Sequence, residues 1–364
     1  MKNKYFKYKY IFTIMAISLF SNALLGQDVD TGLKDHADFP IGTAIRIETL
    51  TRDAELQALQ KRNFNSITSA SDMKMNRILP KEGEYKWGKV DSILDYAQKN
   101  NQRLFGHNLV WHSSTPKWVK EKALKDSEWM AEFMKDYIAT YVGRYKGKVK
   151  AWDVVNEGLE SSGGAMRETI WYKTLGKDYI AKAFTYAHEA DPDAILFYND
   201  FNIERDTVKL KATLDLIQSL RSKGVPISGI GFQMHIRMDI PDEVIANALK
   251  KASETGLQIH LSEVDIIFNT HDDTRNGGEQ VYNELTEEMK LTQSDKYRSL
   301  VRMYRSIVPK EQQFGITLWD FTDRDTWINP FFNLKDWPTI FDEYLQPKPA
   351  YFGFLEGLKV KFKE

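Results

Sequence analysis

Cysteine is absent from this chain of 364 residues, and so is any excess of charge of one sign. Without cysteine the chain has no disulfide bonds and no thiolate metal site, so its stability must come from a large core. The 50 basic and 51 acidic side chains nearly cancel, which gives no basis for nucleic-acid binding or strong attraction to a membrane. Aromatic residues are plentiful instead (9 Trp, 17 Tyr and 20 Phe), as in an aromatic-rich core or a surface that stacks on sugars.

Long hydrophobic runs are missing except near the N-terminus. There the cationic stretch MKNKYFKYKY precedes the apolar run IFTIMAISLF, and small residues follow in SNALLGQ. This order is typical of a signal peptide, and we predict that residues 1–26 are removed by cleavage after Gly26. A membrane anchor is the alternative, but the run is shorter than the roughly 20 residues of a spanning helix. The mature protein is therefore expected to be exported, periplasmic or extracellular, and free of the membrane.

Short apolar runs alternate with amphipathic stretches through the rest of the chain. The runs predict strands at 40–45, 64–69, 103–111, 150–156, 194–200, 229–235, 258–265 and 314–321. Helical spacing marks 91–99, 127–145, 171–189, 207–222, 242–253 and 294–307. Eight strands alternating with helices favour an α/β fold, a (β/α)8 TIM barrel, over an open sheet, since no glycine-rich phosphate loop follows the first strand. No linker or repeat appears, so a single domain is predicted, with a long loop at 269–280.

Polar and aromatic residues collect where the predicted strands end. They are His107, Trp111, Asn156, Glu157, Asn199, Asp200, Gln233, His235, Glu263, Asp265 and Trp319. In such barrels the chemistry lies at the carboxyl ends of the strands, so Glu157 and Glu263 should meet at one mouth. Two carboxyl groups about 5–5.5 Å apart suit glycoside hydrolysis, because one protonates the leaving oxygen while the other attacks the anomeric carbon.

The neighbours of the two glutamates suggest different roles for them. Glu263 and Asp265 are two residues apart on one strand and share a face, so His235 between them would donate to Glu263 and be held by Asp265. Such a donor would keep Glu263 ionised, as a nucleophile must be. Glu157 would then protonate the leaving group. Asn156 beside it would bond the sugar 2-hydroxyl, a contact that strengthens in the transition state.

At these residues the chain resembles glycoside hydrolase family 10, the retaining endo-β-1,4-xylanases. The motifs that carry the resemblance are GHNLVWHSSTPKW, WDVVNE, DPDAILFYNDFNIE, GIGFQMHI, LSEVDI, GITLWDFTDRDTW and IFDEYLQPKPAY. The resemblance implies a catalytic barrel over residues 27–364 that cleaves internal bonds of xylan, with Glu157 as acid/base and Glu263 as nucleophile. It implies that His235 and Asp265 support the nucleophile. It also implies substrate-binding roles for Lys74, His107, Trp111, Asn156, Gln233, Trp319 and Trp327.

The chain departs from the family pattern at the sugar one place beyond the reaction centre. Ala70 and Ser71 replace a Glu–Asn pair that bonds this sugar, and Ser114 replaces a Gln that contacts it. Each lost hydrogen bond would be worth about 0.5–1.5 kcal/mol. We therefore expect an altered distal glycone subsite, which either binds plain xylan more weakly or admits a substituent of decorated xylan. The other departures are Met75 for Trp, Phe201 for Tyr, Asp320 for Gly and Ile328 for Arg.

Two other functions stay open. The same machinery would act on another β-glycoside, or the barrel would bind polysaccharide without cleaving it, which the presence of both glutamates disfavours. His107 and His112 are potential metal ligands, but no third ligand stands at a suitable spacing, so no metal and no other cofactor is expected. The expected partner is xylan or a related β-linked polysaccharide rather than nucleic acid, and the protein is expected to be a monomer.

Overall fold

Strand and helix alternate along the chain, and the computed structural model describes this alternation over residues 31–360. The predicted signal segment, residues 1–26, lies outside the described residues. The strands are β1 (Ile41–Ile45), β2 (Ser66–Ser69), β3 (Arg103–Trp111), β4 (Ala151–Asn156), β5 (Ile195–Asp200), β6 (Gly229–Phe232), β7 (His235–Arg237), β8 (Gln258–Ile267), β9 (Thr270–His271), β10 (Gly278–Glu279) and β11 (Gln313–Leu318). The helices are α1 (Ile47–Arg52), α2 (Ala54–Asn63), α3 (Met75–Ile78), α4 (Gly88–Lys99), α5 (Lys117–Ala123), α6 (Ser127–Arg144), α7 (Ile170–Leu175), α8 (Tyr179–Ala190), α9 (Thr207–Ser222), α10 (Asp242–Ser253), α11 (Glu287–Ile307), α12 (Ile328–Phe332) and α13 (Pro349–Lys359). Across this described part, no helix combines the length and the apolar character needed to cross a membrane.

Eight parallel strands close into a barrel. Hydrogen bonding runs in the order β11, β1, β2, β3, β4, β5, β6 and β8, and β8 pairs with β11 to complete the ring. The (β/α)8 TIM barrel predicted from the alternation of strands and helices is confirmed. Because all eight strands are parallel, their carboxyl ends share one mouth, and the last residues of each strand come together there.

Aromatic rings fill the barrel near the amino ends of the strands. The ring centroid of Phe105 lies 5.7 Å from those of Phe197 and Phe314, and the centroids of Phe197 and Phe314 lie 4.6 Å apart. The guanidinium carbon of Arg103 lies 3.9 Å from the centroid of the Phe314 ring, and its Nη1 donates to the Phe314 carbonyl. The interior is therefore a packed core at this end, and polar groups are gathered at the other.

The predicted strand at 229–235 is wrong in one respect, because the structure divides it into β6 and β7. Met234 adopts a left-handed backbone with φ 60°, which interrupts the regular alternation of side chains after Phe232. The chain resumes extended structure at His235, which pairs in register with Asp265 of β8. The interruption therefore places a histidine beside the strand that carries Glu263.

Other predicted boundaries also need correction. The predicted helix at 171–189 is two helices, since Gly176 with φ 67° ends α7. The last barrel strand stops at Leu318, three residues earlier than predicted, and the helix predicted at 294–307 begins at Glu287.

The segment predicted as a long loop, 269–280, contains the antiparallel hairpin of β9 and β10. Its Asp273 accepts hydrogen bonds from Asn202 (2.9 Å) and Arg205 (3.3 Å), which follow β5. The hairpin therefore reaches from β8 to the chain beyond β5 and connects two sides of the mouth.

Candidate active site

Glu157 and Glu263 both lie at the mouth of the barrel. Glu157 is the first residue after β4, where φ 57° turns the chain out of the strand, and its N–H donates to the carbonyl of Asn199. Glu263 lies within β8, and its N–H donates to the carbonyl of Gln233. The Glu263 side chain is 6 % exposed and that of Glu157 is 13 % exposed. The two carboxyl groups thus occupy a largely dry site in which hydrogen bonds and charges act strongly.

A network of amide side chains links the two carboxyl groups. Asn199 donates from Nδ2 to Glu263 Oε1 (2.8 Å) and to Asn156 Oδ1 (2.9 Å). Gln233 donates from Nε2 to Asn156 Oδ1 (3.2 Å) and to Glu157 Oε1 (3.3 Å). Asn156 Nδ2 also donates to Glu157 Oε1 (3.3 Å). The two glutamates therefore belong to one site, and their positions depend on each other.

Cationic groups surround Glu263. His235 approaches Asp265 Oδ2 with Nδ1 (2.9 Å) and Glu263 Oε2 with Nε2 (3.6 Å). Burial by itself lowers the pKa of His235, but the two carboxylates outweigh it and raise that pKa to about 10. Burial likewise raises the pKa of Glu263, but His107, His235 and Lys74 together bring it below the ordinary value. Glu263 is therefore ionised at neutral pH.

His107 lies close to Glu263 and is 1 % exposed. Its Nδ1 is 2.8 Å from Asp153 Oδ2 and 4.0 Å from Glu263 Oε1. Burial raises the pKa of Asp153 to about 6, although the hydrogen bond from His107 opposes the rise. The sequence placed His107 at the mouth but gave no sign of Asp153 as its partner, because Asp153 stands inside a strand rather than at its end.

Three tryptophan rings and a lysine form the walls beside the glutamates. The Nζ of Lys74 is 4.7 Å from the centroid of the Trp111 ring and 5.7 Å from that of Trp319. Burial lowers the pKa of Lys74, while Glu263 and Glu157 act against that change. The indole N–H of Trp327 donates to Asp265 Oδ2 (2.8 Å), so this ring contacts the same carboxylate as His235.

A third histidine of the site, His112, lies beside Glu157. His112 Nε2 is 4.0 Å from Glu157 Oε2 and 3.1 Å from the Ser113 hydroxyl. Burial, reinforced by nearby cationic side chains, lowers the pKa of His112 to about 4, so it is neutral at pH 7. Glu157 therefore has amides and a neutral imidazole around it, whereas Glu263 has cationic groups.

The residues that depart from the family pattern line the same region. Ala70 is 7 % exposed and belongs to a buried cluster with Ala44 and Trp319, against which Trp327 packs. Ser71 is part-buried beside Ala70, while Ser114 is 2 % exposed and its hydroxyl donates to a backbone carbonyl at 3.4 Å. One small side chain, that of Ala70, is therefore in the cluster against which Trp327 packs, and the Ser114 hydroxyl bonds to the protein itself.

The other residues that depart from the family pattern are buried or contact other side chains of the protein. Met75 and Ile328 are fully buried. The ring of Phe201 lies 4.1 Å from the Nζ of Lys209. Asp320 is bound by an arginine at the end of β1.

Every side chain predicted to belong to the site thus lies near Glu157 or Glu263, or contacts a side chain that does. Asn199 was recognised as a strand-end residue but received no role, although it contacts both Glu263 and Asn156. Its place at the end of β5, next to β4, was the available signal. Two carboxyl groups in unlike surroundings are suited to separate acid and nucleophile roles at one glycosidic bond.

Comparison with known proteins places this geometry among carbohydrate-active enzymes. The family described as Glycosyl hydrolase family 10 matches residues 32–357. Endo-1,4-beta-xylanase B of Thermotoga neapolitana is 39 % identical over 314 residues, which cover 86 % of each chain.

Solved structures give the same result. The structure of GH10 from Paenibacillus barcinonensis superposes with a TM-score of 0.83 at 34 % identity, covering 93 % of this chain and 100 % of that one. A mutant xylanase 10C from Cellvibrio japonicus in complex with xylopentaose superposes with a TM-score of 0.84 at 34 % identity, covering 90 % and 69 %.

Proposed function

Since the chain belongs to glycosyl hydrolase family 10, as its motifs indicated, we propose that it cleaves internal β-1,4 bonds of xylan with retention. The observation that carries this proposal is the position of His235 between Glu263 and Asp265. This arrangement keeps the carboxyl group of Glu263 ionised, as attack on an anomeric carbon requires.

The reaction proceeds by double displacement. A carboxylate oxygen of Glu263 bonds to the anomeric carbon while the glycosidic C–O bond breaks, and Glu157 gives its proton to the departing oxygen. Glu157 then takes a proton from a water molecule as that water attacks the same carbon. The bond to Glu263 breaks, and the sugar leaves with its original anomeric configuration.

The remaining site residues bind the sugar beside the cleaved bond. Asn156 and Gln233 offer amide groups next to Glu157. The deeply buried His107 and the part-buried Lys74 and Trp111, with Trp319, surround that sugar and position it, and Trp327 lies under the next sugar of the glycone. Ala70, Ser71 and Ser114 make the subsite for that next sugar less polar than in the family pattern, and we propose that their small side chains allow a substituent of decorated xylan to be accommodated there. The place of Ala70 in the apolar cluster with Trp319, against which Trp327 packs, supports a less polar subsite.

Replacement of the two glutamates tests the chemistry. We expect Glu263→Ala and Glu157→Ala to reduce release of reducing ends from xylan by several orders of magnitude. The exposed Glu288 offers a matched control, and Glu288→Gln should retain full activity. Proton NMR of the first product should show the β-anomer. A first-formed α-anomer, or trace activity that both alanine variants leave unchanged, would contradict catalysis by this pair.

The substrate is tested separately by comparing polysaccharides. Linear xylo-oligosaccharides, decorated xylans, mixed-linkage glucan and aryl cellobiosides should be compared by kcat/KM. We expect decorated xylan to be cleaved at least as well as the linear substrate. A strong preference for undecorated, longer glycones would reject the accommodation of a substituent at this subsite, and preferential cleavage of glucan would favour another β-glycoside.

A further inference from the structure

Arg46, the residue after β1, binds the turn that leads from β11 to α12 at two points. Its Nη1 and Nη2 donate to the two carboxylate oxygens of Asp320, at 2.7 Å and 3.3 Å. Nη1 also donates to the backbone carbonyl of Asp325 (3.2 Å). A guanidinium that bonds both oxygens of a carboxylate fixes the orientation of that carboxylate, which a lysine does not do.

Asp320, which Arg46 holds in this way, is also bonded to Trp327. Its Oδ2 accepts the backbone N–H of Trp327 at 3.1 Å. The backbone of Asp320 has φ 68°, a left-handed conformation that favours glycine, so a side chain there costs about 1–2 kcal/mol. The aspartate is present despite this cost, and its carboxylate joins the end of the first barrel strand to Trp327.

The ring of Trp327 lies where its position affects the site. Its centroid is 4.8 Å from that of His235, and its N–H donates to Asp265. The same ring packs against the cluster formed by Ala44, Ala70 and Trp319. Trp327 therefore connects the support of Glu263 with the region where small residues have replaced polar ones.

We propose that Arg46 and Asp320 are a positioning pair that holds Trp327 in place and so determines how strongly the second glycone sugar is bound. The inference rests on the proposed function, because it takes Trp327 as the ring under that sugar. Neither member of the pair touches the reacting atoms, and both act through Trp327. Because Ala70 and Ser71 provide little polar contact there, binding of this sugar depends on the ring.

The surroundings of Arg46 argue against a direct role in binding an acidic sugar. Its guanidinium is already engaged by Asp320 and by the Asp325 carbonyl. The carboxylates of Asp320, Asp325 and Asp72 all act on Arg46 and raise its pKa above the value that burial alone would give. An incoming carboxylate would meet these negative charges, so a positioning role accounts better for the arginine.

Two aryl glycosides that differ by one sugar test the pair. An aryl β-xyloside engages only the sugar beside the cleaved bond, whereas an aryl β-xylobioside also engages the sugar over Trp327. The variants are Arg46→Ala and Asp320→Gly. The second suits the backbone conformation at φ 68°, which offsets part of the loss of the hydrogen bonds of Asp320, and circular dichroism and the melting temperature should show that it is folded. Arg298→Ala is the control, because it breaks an arginine–carboxylate pair, with Glu356, on the outer helices.

For both test variants we expect kcat/KM on the xylobioside to fall about tenfold, mainly through KM, and activity on the xyloside to change less than about twofold. The double variant should be no worse than the poorer single variant, because the two residues act as one unit. Equal losses of kcat/KM on both substrates, or no loss in Asp320→Gly, would overturn the inference about the pair. The proposed function would still stand in that case, provided that the wild type cleaves the substrates. A wild type that cleaves neither substrate would overturn both.

Discussion

His235 shows how a single side chain sets the chemistry of its neighbour. It contacts Glu263 and Asp265 at once, and the two carboxylates hold its charge in place by raising its pKa to about 10. The cation in turn lowers the pKa of Glu263 against the effect of burial. A buried carboxyl group without such a partner would favour its neutral form.

We therefore predict that His235→Asn raises the pKa of Glu263 and moves the acid limb of the kcat/KM profile to higher pH. The rate on xylan should fall about 100-fold at neutral pH, because less of Glu263 is ionised and its orientation is less fixed. The pH–rate profile is the measurement, since its acid limb reports the base form required in the free enzyme. The exposed His188 provides the control, and His188→Asn should leave both limbs in place. An unshifted acid limb in His235→Asn would contradict the role of His235.

Glu204 allows a second prediction at this scale, concerning stability. It is 1 % exposed, neither carboxylate oxygen has a partner in another residue, and burial raises its pKa to about 7. The folded state therefore holds a proton between about pH 4.5 and 7 that the unfolded state has lost, so stability falls as pH rises through this window. We expect the stability of the wild type relative to Glu204→Gln to decline with pH, at up to about 1.4 kcal/mol per unit. Denaturant unfolding at pH 4.5, 6 and 7.5 measures the decline, and a constant difference would contradict it.

Helices and strands with a strong periodicity have bounds close to the predicted ones. Elements that a single residue interrupts do not. Helices α9 and α10 and strand β3 have the predicted bounds, because several turns or an unbroken apolar run define each of them. The break at Met234 had no signal, since a left-handed methionine is not encoded by a turn residue. His235 was nevertheless placed with Asp265, because chemistry rather than periodicity suggested that pair.

The start of α9 carries a prediction for element stability. Asp206 caps this helix by accepting the N–H groups of Val208 and Lys209, and its second oxygen accepts the N–H of Gly163 from the loop after β4. We expect Asp206→Ala to lower the free energy of unfolding by about 1–2 kcal/mol, the usual worth of a cap. Asp215, exposed in the middle of the same helix, is the control, and Asp215→Ala should cost less than about 0.5 kcal/mol. Equal losses from chemical denaturation of the two variants would contradict the capping role.

For the whole molecule, closure of the barrel explains why the location of the site could be predicted from the sequence while individual side-chain contacts could not. Parallel strands must bring their carboxyl ends together, so counting strands was enough to predict that Glu157 and Glu263 share a mouth. Contacts that depend on side-chain direction within a strand, such as that of Asp153 with His107, do not follow from counting. The Arg46–Asp320 pair joins the first and last barrel strands and lies 274 residues apart in sequence, beyond the reach of any local pattern.

The same closure bears on the predicted signal segment. The first and last strands of the barrel, β1 and β11, pair with each other through Ile41, Gly42 and Thr43, so the ring is complete within the described residues. We therefore expect a chain that begins at Gln27 to fold with the same melting temperature and the same kcat on xylan as the uncleaved full chain. The monomer predicted from the sequence is tested on the same sample by gel filtration. Expression of the full chain in a bacterial host should yield an exported protein whose N-terminal residue is Gln27 by mass spectrometry. Removal of residues 2–26 should leave the protein inside the cell with its activity intact. Full-length protein retained in the membrane fraction would instead indicate an anchor, and a lower melting temperature of the shortened chain would mean that the segment contributes to the fold.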